Sequence, residues 1–486
     1  MQYCSVTMPR VVVAGLSGDS GKTLISLALL LLAHQQNIPA MAFKKGPDYI
    51  DAGWLSWASQ RPTRNLDTFL MGPERTIQLF RANALANGLN LVEGNRGIFD
   101  GVDIHGTHST AQLAKLLKAP ILLVINATKV THTVAALVLG CTKLDPEVRI
   151  GGVILNRVSG SRHESILRES VESIGGVPVL GVLPSVDSSS LLPTRHLGLV
   201  PPQEHEVVTV LRSKILSAVQ GCLDTERIFE LARSVLPETA RVENTGRTED
   251  GHGLKIAYLQ DSAFSFYYPD NLEALEEAGA QLCPISSLTT STLPEDLDAL
   301  YIGGGFPETH AEVIASNSCF LSSIRAQALK GLPIYAECGG LMLLSRAIHW
   351  KGLRFPMAGV LPVEVEVRAK PQGHGYVELF VDSPNPYYPL GTRIRGHEFH
   401  YSKIMTTDSL PPTACAVHRG TGCFGGRDGI LVENVWASYS HVHAAATREW
   451  ARGVLAQARF FHRHKSNPHP SELLAWAGYG NRTSIS

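Results

Sequence analysis

The sequence lacks several features that would assign a class at once. The formal net charge of the 486-residue chain is −1 and no basic run occurs, so nothing favours a nucleic acid or a membrane surface as partner. The longest apolar run, at 24–33, is far shorter than a bilayer span. The first ten residues do not contain the apolar core of a signal peptide. These absences favour a cytoplasmic protein without nucleic-acid or membrane partners.

Cysteine is also sparsely used. The eight cysteines are scattered and form no CxxC pair, which excludes the common metal spacings and favours reduced thiols. Neither an internal repeat nor a low-complexity tract is present. An apolar content of 44% and a charged content of 18% are typical of a globular protein. A chain of this length exceeds one hydrophobic core, so at least two domains are expected.

Short β-branched runs alternate with amphipathic stretches in the first part of the chain. The strand-like runs are 10–15, 39–44, 89–94, 120–126 and 150–158. This alternation predicts an α/β domain with a mostly parallel sheet and helices on both faces.

A second alternation, from residue 254 onwards, predicts a second α/β domain that becomes richer in strands at 355–435. We therefore divide the chain into a first domain (1–239), a polar glycine-bearing linker (240–253), a second domain (254–465) and a polar C-terminal tail (466–486).

A glycine-rich turn follows the first strand. Residues 15–23 read GLSGDSGKT, and an apolar helix follows. Backbone amides in such a turn cradle phosphates, Lys22 adds a positive charge and the Thr23 hydroxyl can hold Mg²⁺. The alternative is a strand–helix turn without a ligand. The strict motif spacing would place a glycine at position 16, where this chain has Leu16, and the first glycine is Gly15.

Acidic residues follow the next two strands. Asp48 and Asp51 lie in FKKGPDYID, and Glu93 and Asp100 lie in VEGNRGIFDG. Parallel sheets bind ligands at the carboxyl ends of their strands, and Mg²⁺ prefers one or two carboxylates together with phosphates and water. Each acid alone could be a solvated loop charge, but their clustering favours a metal and substrate site.

These motifs resemble a known family. GLSGDSGKT, FKKGPDYID, RNLD, VEGNRGIFDG, ILNRVSGSRH and LLPTRHLGLVP occur in order over most of 11–205 and are similar to the synthetase domain of cobyrinic acid a,c-diamide synthases. The resemblance implies a fold like dethiobiotin synthetase and ATP-driven activation of a carboxylate, with ATP and Mg²⁺ as cofactors.

The resemblance also implies roles for individual residues. ATP would be bound by Gly18, Ser20, Gly21, Lys22, Thr23, Asn156 and Arg157, the last two near the adenine. Mg²⁺ would be held by Thr23, Asp48 and Glu93, and the tetrapyrrole would face Tyr49, Asp51 and Asp100. Many members carry a histidine a few residues after PDYID, whereas this chain reads AGWLSWA. Its Trp54, Leu55 and Trp57 either pack in the core or shape the macrocycle pocket.

The second domain contains the stretch PIYAECGGLMLL at 333–344. A strand, Cys338 between Glu337 and glycines, and a helix have the form of a nucleophile elbow, although position 336 is Ala336 rather than glycine. Cysteines are often simply buried, which is the competing interpretation. A thiolate needs a histidine base, and the candidates are His397, His400, His441 and His443. The glycine turn at 303–305 can supply an oxyanion hole.

Residues 254–446 resemble class I, triad-type glutamine amidotransferases of the cobyric acid branch. DSAFSFYYPDNL, GGGFPE, AECGGLM, GHEFHYS and SYSHVH carry the resemblance. It implies that Cys338 forms a γ-glutamyl thioester and His441 is its base, with Gly304, Gly305 and Gly339 as the oxyanion hole. Ordinary triads continue His-x-Glu, whereas position 443 is His443. The resemblance therefore implies a dyad-like site, as expected for this branch, and we name no third member. His397 and Glu398 match a motif to which we assign no role.

The two halves together predict a ligase. It would amidate the a and c acetates of a cobyrinic-acid-type tetrapyrrole through an acyl phosphate, using ammonia from glutamine, whose release near the activated acid raises its effective concentration. Glutamine and a polycarboxylate tetrapyrrole are then the substrates. Sirohydrochlorin or sirohaem as the amidated ring is one alternative, and a P-loop ATPase switch without amidation is a second. The number of amidations and the assembly, a homodimer included, stay open.

Overall fold

The computed structural model describes residues 4–185, 194–195, 198–199, 208–240, 251–405 and 410–465. The chain forms two compact units, Met1–Thr68 with Gly72–Asn244 and Phe69–Met71 with Thr245–Ser486. Most of the predicted linker at 240–253, the whole of the predicted tail at 466–486 and most of the LLPTRHLGLVP motif lie outside the described residues.

The first unit alternates strands and helices, as predicted. Its strands are β1 (Cys4–Val6), β2 (Arg10–Gly15), β3 (Ala40–Lys45), β4 (Arg64–Leu66), β5 (Leu89–Glu93), β6 (Ile121–Asn126), β7 (Ile150–Val158), β8 (Val179–Pro184), β9 (Thr194–Arg195), β10 (Gly198–Leu199) and β11 (Glu238–Ala240). Its helices are α1 (Lys22–Gln35), α2 (Ile50–Ser59), α3 (Thr68–Asn83), which is interrupted at Gly72, α4 (Thr110–Leu116), α5 (Thr133–Leu144), α6 (Ser161–Glu169), which a π-helical turn at Ser170–Ile174 continues, α7 (Val208–Val219) and α8 (Thr225–Arg233).

Seven of these strands form one parallel sheet in the order β4-β3-β5-β2-β6-β7-β8. The central strand β2 is buried on both faces: Val11 and Val13 pack in one hydrophobic cluster with α1, and Val12 and Ala14 pack in another with α4 and α5. A parallel sheet covered by helices on both faces has this pattern. The prediction for the first domain is confirmed, and the carboxyl ends of β2, β3 and β5 lie side by side.

The second unit contains sixteen strands and five α-helices within its described residues. The strands are β12 (Lys255–Leu259), β13 (Phe264–Phe266), β14 (Gln281–Ile285), β15 (Ala299–Ile302), β16 (Gly304–Gly305), β17 (Ile334–Glu337), β18 (Ala347–Trp350), β19 (Leu353–Pro356), β20 (Glu364–Val367), β21 (Gly373–Val381), β22 (Arg393–His400), β23 (Ser402–Met405), β24 (Thr413–Arg419), β25 (Arg427–Val432), β26 (Val435–Ser438) and β27 (His441–Val442). The helices are α9 (Pro269–Glu277), α10 (Ala311–Ser316), α11 (Ser318–Leu329), α12 (Gly339–Leu344) and α13 (Arg448–His464), with a 3₁₀ turn at Pro307–His310.

The main sheet of this unit has ten strands in the order β14-β12-β15-β17-β26-β25-β24-β21-β22-β27. It is parallel from β14 to β26 and antiparallel beyond, which confirms the strand-rich segment predicted at 355–435. In this register Glu337 at the end of β17 lies opposite Ser438 at the end of β26. Only two further residues separate Ser438 from His441, which pairs with His397 of β22. The strand ends therefore bring Cys338 and His441 to the same edge of the sheet.

Candidate functional sites

The phosphate-loop candidate lies between β2 and α1. Lys22 Nζ donates to the carbonyl oxygens of Ser17 and Arg96, both at 2.9 Å, so the lysine folds over the loop. A Cβ added to Gly15 would lie 2.9 Å from Ser20 Cβ and 3.2 Å from Lys22 Nζ. The loop therefore needs its first glycine at position 15, which explains the shifted motif spacing.

The other side of the loop rests on the end of β7. Asn156 Nδ2 donates to the Ser20 carbonyl at 3.0 Å. Gly21 has a φ of 98°, and a Cβ there would lie 2.2 Å from Asn156 Nδ2, so only glycine allows this approach. Arg157 follows with a φ of 62°. Gly18, in contrast, has no described atom within 4 Å of an added Cβ, which leaves the outer face of the loop open for a ligand.

A buried lysine occupies the centre of the acidic cluster. Lys44 Nζ lies 2.6 Å from Asp51 Oδ2 and 2.7 Å from Glu93 Oε1, and Thr23 Oγ1 donates to the same Glu93 oxygen at 3.2 Å. Lys44 is 2% exposed and Glu93 is fully buried. Burial lowers the pKa of Lys44, but Asp51 and Glu93 outweigh it and raise the pKa overall. This site thus carries its own cation.

The predicted metal ligands provide a partial site. Asp48 Oδ1 accepts a hydrogen bond from the Asp51 amide at 2.9 Å, and burial followed by repulsion from Asp51 raises the pKa of Asp48 to about 7. Glu93 Oε2 is buried and has no hydrogen-bond partner among the described residues. An unpaired carboxylate oxygen close to the Thr23 hydroxyl fits Mg²⁺, which takes oxygen ligands. The described part of the chain contains no complete cluster of three or more metal-ligating side chains, so phosphate and water would have to complete the shell.

The predicted substrate residues surround this edge of the sheet. Tyr49 and Asp51 lie at the start of α2. Asp100 Oδ2 accepts a hydrogen bond from the Gly97 amide at 2.9 Å, and a Cβ on Gly97 would lie 2.6 Å from the Leu16 carbonyl. The turn that carries Asp100 therefore packs directly against the phosphate loop.

The structure shows where the aromatic residues that follow PDYID lie. Trp54 and Leu55 are fully buried in the core cluster of α1, and Trp57 makes an edge contact with Trp54 at 5.7 Å. Of the two alternatives, core packing is confirmed for Trp54 and Leu55.

Cys338 is located on a strained turn between β17 and α12. Its φ of 49° and ψ of −100° are unusual for a residue with a side chain. The Cys338 amide donates to the Ser438 carbonyl at 2.7 Å, and a Cβ on Gly340 would lie 2.5 Å from the Ile302 carbonyl, so the turn is tightly held. This is the backbone of a nucleophile elbow. Burial, then the nearby Glu308, raises the pKa of the thiol.

The three predicted oxyanion-hole glycines lie around this turn. A Cβ on Gly304 would lie 2.4 Å from His441 Cε1 and 3.2 Å from His441 Nε2. A Cβ on Gly339 would lie 3.1 Å from the Gly305 amide nitrogen, and a Cβ on Gly305 would lie 2.0 Å from the Ala263 carbonyl. The glycine turn therefore packs against the His441 ring on one side and against the start of the helix after Cys338 on the other. A side chain at Gly304 would displace the His441 ring, and one at Gly305 would clash with the Ala263 carbonyl.

Buried acids hold the segment that carries His441. Asp428 is fully buried and accepts hydrogen bonds from Ser440 Oγ at 2.7 Å and from the Tyr439 amide at 3.2 Å. Glu337, also fully buried, lies with Oε2 3.4 Å from His441 Nδ1. The sequence reasoning missed Glu337, although an acid directly before the nucleophile was visible.

Of the other histidine candidates, His397 contacts the ring of His441 directly. The two rings stack at 4.8 Å with an angle of 20° between their planes, and the Tyr268 hydroxyl lies 3.1 Å from His397 Nδ1. Burial, then His441, lowers the pKa of His397 well below its usual value, so this ring is neutral.

The rest of the GHEFHYS motif is engaged in loop contacts. Glu398 accepts hydrogen bonds from the amides of Thr421 at 2.6 Å and Gly422 at 3.0 Å. His400 Nδ1 lies 2.8 Å from the Ser402 carbonyl, and its Nε2 lies 3.5 Å from Glu398. The Glu398 contacts join β22 to the loop before β25, and the His400 contact joins β22 to the start of β23. Glu398 and His400 thus hold neighbouring backbone segments in place.

A phosphate-type loop on a parallel sheet and a cysteine elbow on a mixed sheet define a chain with a nucleotide-binding domain followed by an amidotransferase domain. Residues 11–200 match the family model of the CobQ/CobB/MinD/ParA nucleotide binding domain, and residues 255–449 match that of the CobB/CobQ-like glutamine amidotransferase domain. The chain belongs to the cobyrinate a,c-diamide synthase family, because curated members match it at high identity over nearly its whole length.

Two of these relatives illustrate the match. The cobyrinate a,c-diamide synthase of Magnetococcus marinus is 40% identical over 468 residues, which cover 95% of this chain and 99% of that protein. The enzyme of the same name from Archaeoglobus fulgidus is 38% identical over 459 residues, covering 94% and 99%. Among solved structures, PurLQS from Thermotoga maritima is similar with a TM-score of 0.31 and 16% identity, covering 43% of this chain and 98% of that one, a likeness too weak to argue from. No helix within the described ranges has the length and apolarity needed to span a membrane.

Proposed function

We propose that this chain is an ATP-dependent, glutamine-hydrolysing ligase that amidates the a and c acetate side chains of cobyrinic acid. The observation that carries the proposal is the end-to-end match to cobyrinate a,c-diamide synthases in a chain that holds both a phosphate-type loop and a cysteine elbow. Neither motif alone requires amidation. Together they supply the activated acid and the nitrogen that an amide bond needs.

In the first unit, the loop at 15–23 is the proposed triphosphate site. Backbone amides around Gly18, Ser20 and Gly21, the Lys22 ammonium and the Asn156–Arg157 segment would bind ATP. Mg²⁺ held by Thr23, Asp48 and Glu93 would offset the negative charge of the phosphates. A substrate carboxylate oriented by Tyr49, Asp51 and Asp100 attacks the γ-phosphorus, so that an acyl phosphate forms and ADP leaves.

Lys44 gives this site a second task. In the resting arrangement it neutralises Asp51 and Glu93 at 2.6 and 2.7 Å. When phosphates and a carboxylate substrate enter, the lysine gains further anionic partners without moving out of the site. It thus offsets negative charge both before and after the substrates bind.

In the second unit, Cys338 is the proposed nucleophile. His441 takes the thiol proton while the sulfur attacks the side-chain amide carbon of glutamine, and the amides of Gly305 and Gly339 would stabilise the resulting oxyanion. The proton passes to the leaving nitrogen, ammonia departs and water hydrolyses the thioester to glutamate. Burial raises the pKa of the Cys338 thiol, so a base that takes its proton is part of the proposed catalytic cycle.

Ammonia then attacks the carbonyl carbon of the acyl phosphate, and the amide and free phosphate are formed. At neutral pH most free ammonia is protonated and unreactive. A glutaminase in the same chain delivers the unprotonated form near its acceptor, which is the advantage of proximity.

The amidated ring is the finer part of the proposal. The curated relatives are named for cobyrinate, which favours a corrin over the sirohydrochlorin or sirohaem alternative. They also disfavour an ATPase switch without amidation, since that class has no use for a glutaminase domain.

The test supplies purified protein with ATP, Mg²⁺, glutamine and either cobyrinic acid or sirohydrochlorin, with mass spectrometry counting amidations. We expect two amide groups on cobyrinic acid and none on sirohydrochlorin. Amidation of sirohydrochlorin alone would replace the ring assignment. ATP hydrolysis without amidation of either ring would overturn the proposed function.

A further inference from the structure

The proposed glutaminase has an unfilled role in its sequence pattern. In a triad, an acid orients the histidine base and balances the charge that the ring gains with the proton. The usual acid position, two residues after the histidine, is His443 here. Its ring contacts other groups, since His443 Nε2 lies 3.6 Å from Asp270 and the ring lies 4.5 Å from that of Tyr268.

Glu337 occupies the position that the triad acid would need. Its Oε2 lies 3.4 Å from His441 Nδ1, and both side chains are almost completely buried. Glu337 Oε1 accepts a hydrogen bond from the Val442 amide at 3.2 Å, and the Tyr301 hydroxyl donates to Oε2 at 3.4 Å. The carboxylate is therefore fixed by the residue after the histidine and by a neighbouring strand.

The sheet register explains how a residue so distant in the chain reaches His441. Glu337 ends β17, and β17 pairs in parallel with β26, the strand that leads into the His441 turn. The nucleophile and the acid are thus consecutive residues, with Cys338 on the elbow and Glu337 as the last residue of the strand below it. The geometry is local in space but not in sequence.

The two nitrogens of the His441 ring face different partners. Nδ1 faces Glu337. Nε2 lies beside the glycine turn at 303–305, since a Cβ added to Gly304 would be 3.2 Å from it. With the proton on Nδ1, the lone pair lies on Nε2, which is then able to accept the thiol proton; this is the tautomer that a base requires. The Nδ1–Oε2 distance is long for a hydrogen bond, as such contacts often are before substrate binds.

His397 is the competing partner, and its orientation excludes it. Its ring stacks face to face on His441 with an interplanar angle of 20°, so it offers no acceptor in the plane of the His441 ring. Its Nδ1 is within hydrogen-bonding distance of the Tyr268 hydroxyl. A neutral ring on the face of His441 packs the base and leaves its orientation to an in-plane group.

We propose that Glu337 is the positioning residue of His441, so that this site is a triad in space whose acid precedes the nucleophile in the chain. The inference rests on the proposed glutaminase function and deepens it. Glu337 holds the ring through Nδ1 and offsets its positive charge while the thiol proton resides on Nε2. It touches neither glutamine nor the sulfur in this role.

The test compares three variants in steady-state glutamine hydrolysis. In Glu337→Gln, kcat falls on the order of 100-fold while KM stays within about threefold. A loss of this size lies between that of a residue that only orients a ligand and that of a triad acid. Glu337→Asp keeps the charge on a shorter side chain and recovers part of the lost kcat. Tyr387→Phe, which removes a buried hydroxyl that donates to the Asn434 carbonyl and does not contact Glu337, stays within about threefold of the parent kcat.

Ammonia-driven amidation and thermal melting are measured on the same preparations, and both stay at parent values if the role is positioning. A rise in KM at unchanged kcat, an equal loss in Tyr387→Phe, or a kcat in Glu337→Asp as low as in Glu337→Gln would overturn the inference. If Glu337→Gln does not fold, the Asp variant and its KM–kcat split decide alone. Failure of the proposed function itself is seen separately, as glutamine hydrolysis that survives Cys338→Ala.

Discussion

The two candidate sites bury reactive groups in opposite ways. Around the phosphate loop, charges neutralise one another, with Lys44 between Asp51 and Glu93. Around Cys338, backbone geometry positions the reactive groups: the cysteine has a φ of 49°, and glycines leave room for the His441 ring. Buried charges need partners, whereas backbone strain needs a rigid surround.

The difference matches the ligands that each site would take. A triphosphate and a polycarboxylate bring much charge, and a resting site with its own ion pairs can exchange or share partners when they arrive. Glutamine has no net charge, and its reaction depends on the placement of one sulfur, one imidazole and two amides. Removing a charge should therefore reduce the activity of the first site most. Displacing the sulfur, the imidazole or an amide should reduce the activity of the second site most.

The largest effect is expected for Cys338→Ala. Without the nucleophile, glutamine hydrolysis falls by at least about 10⁴-fold, as for other enzymes that lose a covalent catalyst. Glutamate release followed by a coupled assay measures it. ATP binding by the same preparation is the control, and glutaminase activity close to the parent value would refute the elbow assignment.

Lys44→Met tests the charge-neutralised site. Two carboxylates lose their buried cation, so the free energy of unfolding falls by about 3 kcal/mol and ammonia-driven amidation is lost. Chemical denaturation and the amidation assay measure the two effects. Glutamine hydrolysis serves as the internal control, because Lys44 lies in the other unit. Unchanged stability would show that the ion pairs do not support the fold.

Gly304→Ala tests the geometry-dependent site without altering charge. The new methyl would lie 2.4 Å from His441 Cε1, so the ring must move. A misplacement of about 1 Å costs about 100-fold in rate. The matched control is Gly140→Ala in α5, where no described atom lies within 4 Å of an added Cβ. We expect kcat for glutamine to fall in the first variant alone. Equal rates in both would contradict the contact.

The smallest effect is expected for a charge pair near water. Hydrogen bonds from Arg354 and then His349 lower the pKa of Glu364 to about 2 from 4.5. A depressed folded pKa stabilises the protein above pH 4.5, and this contribution is lost as the pH falls towards 2. Glu364→Gln should therefore cost about 0.5 kcal/mol at neutral pH and progressively less in acid. Urea denaturation at several pH values measures the gap, and a gap that widens in acid would contradict the sign.

Much of the fold followed from periodicity, because buried parallel strands leave continuous apolar runs. The predicted strands at 10–15 and 150–158 coincide with β2 and β7, and the predicted elbow at Cys338 has the expected strand and helix around it. These features depend on neighbours in the chain, which a sequence displays directly.

What the sequence did not reveal depends on pairing between distant segments. Glu337 reaches His441 only through the register of β17 and β26, and Lys44 reaches Glu93 only because β3 and β5 are adjacent. Whether Trp54 belonged to the core or to a pocket depended likewise on the helix packed against α2. Such contacts have no fixed spacing for a motif to record.

Two separate chemistries meet in one amide product, and a variant that lacks only the nucleophile separates them. Amidation of cobyrinic acid by Cys338→Ala is measured with ATP and either glutamine or ammonium chloride as the nitrogen source. We expect no product with glutamine and, with ammonium chloride, a rate close to that of the parent protein with ammonium chloride. Product from glutamine, or its absence with ammonium chloride, would show that glutamine hydrolysis and amidation are not separate steps of the two units.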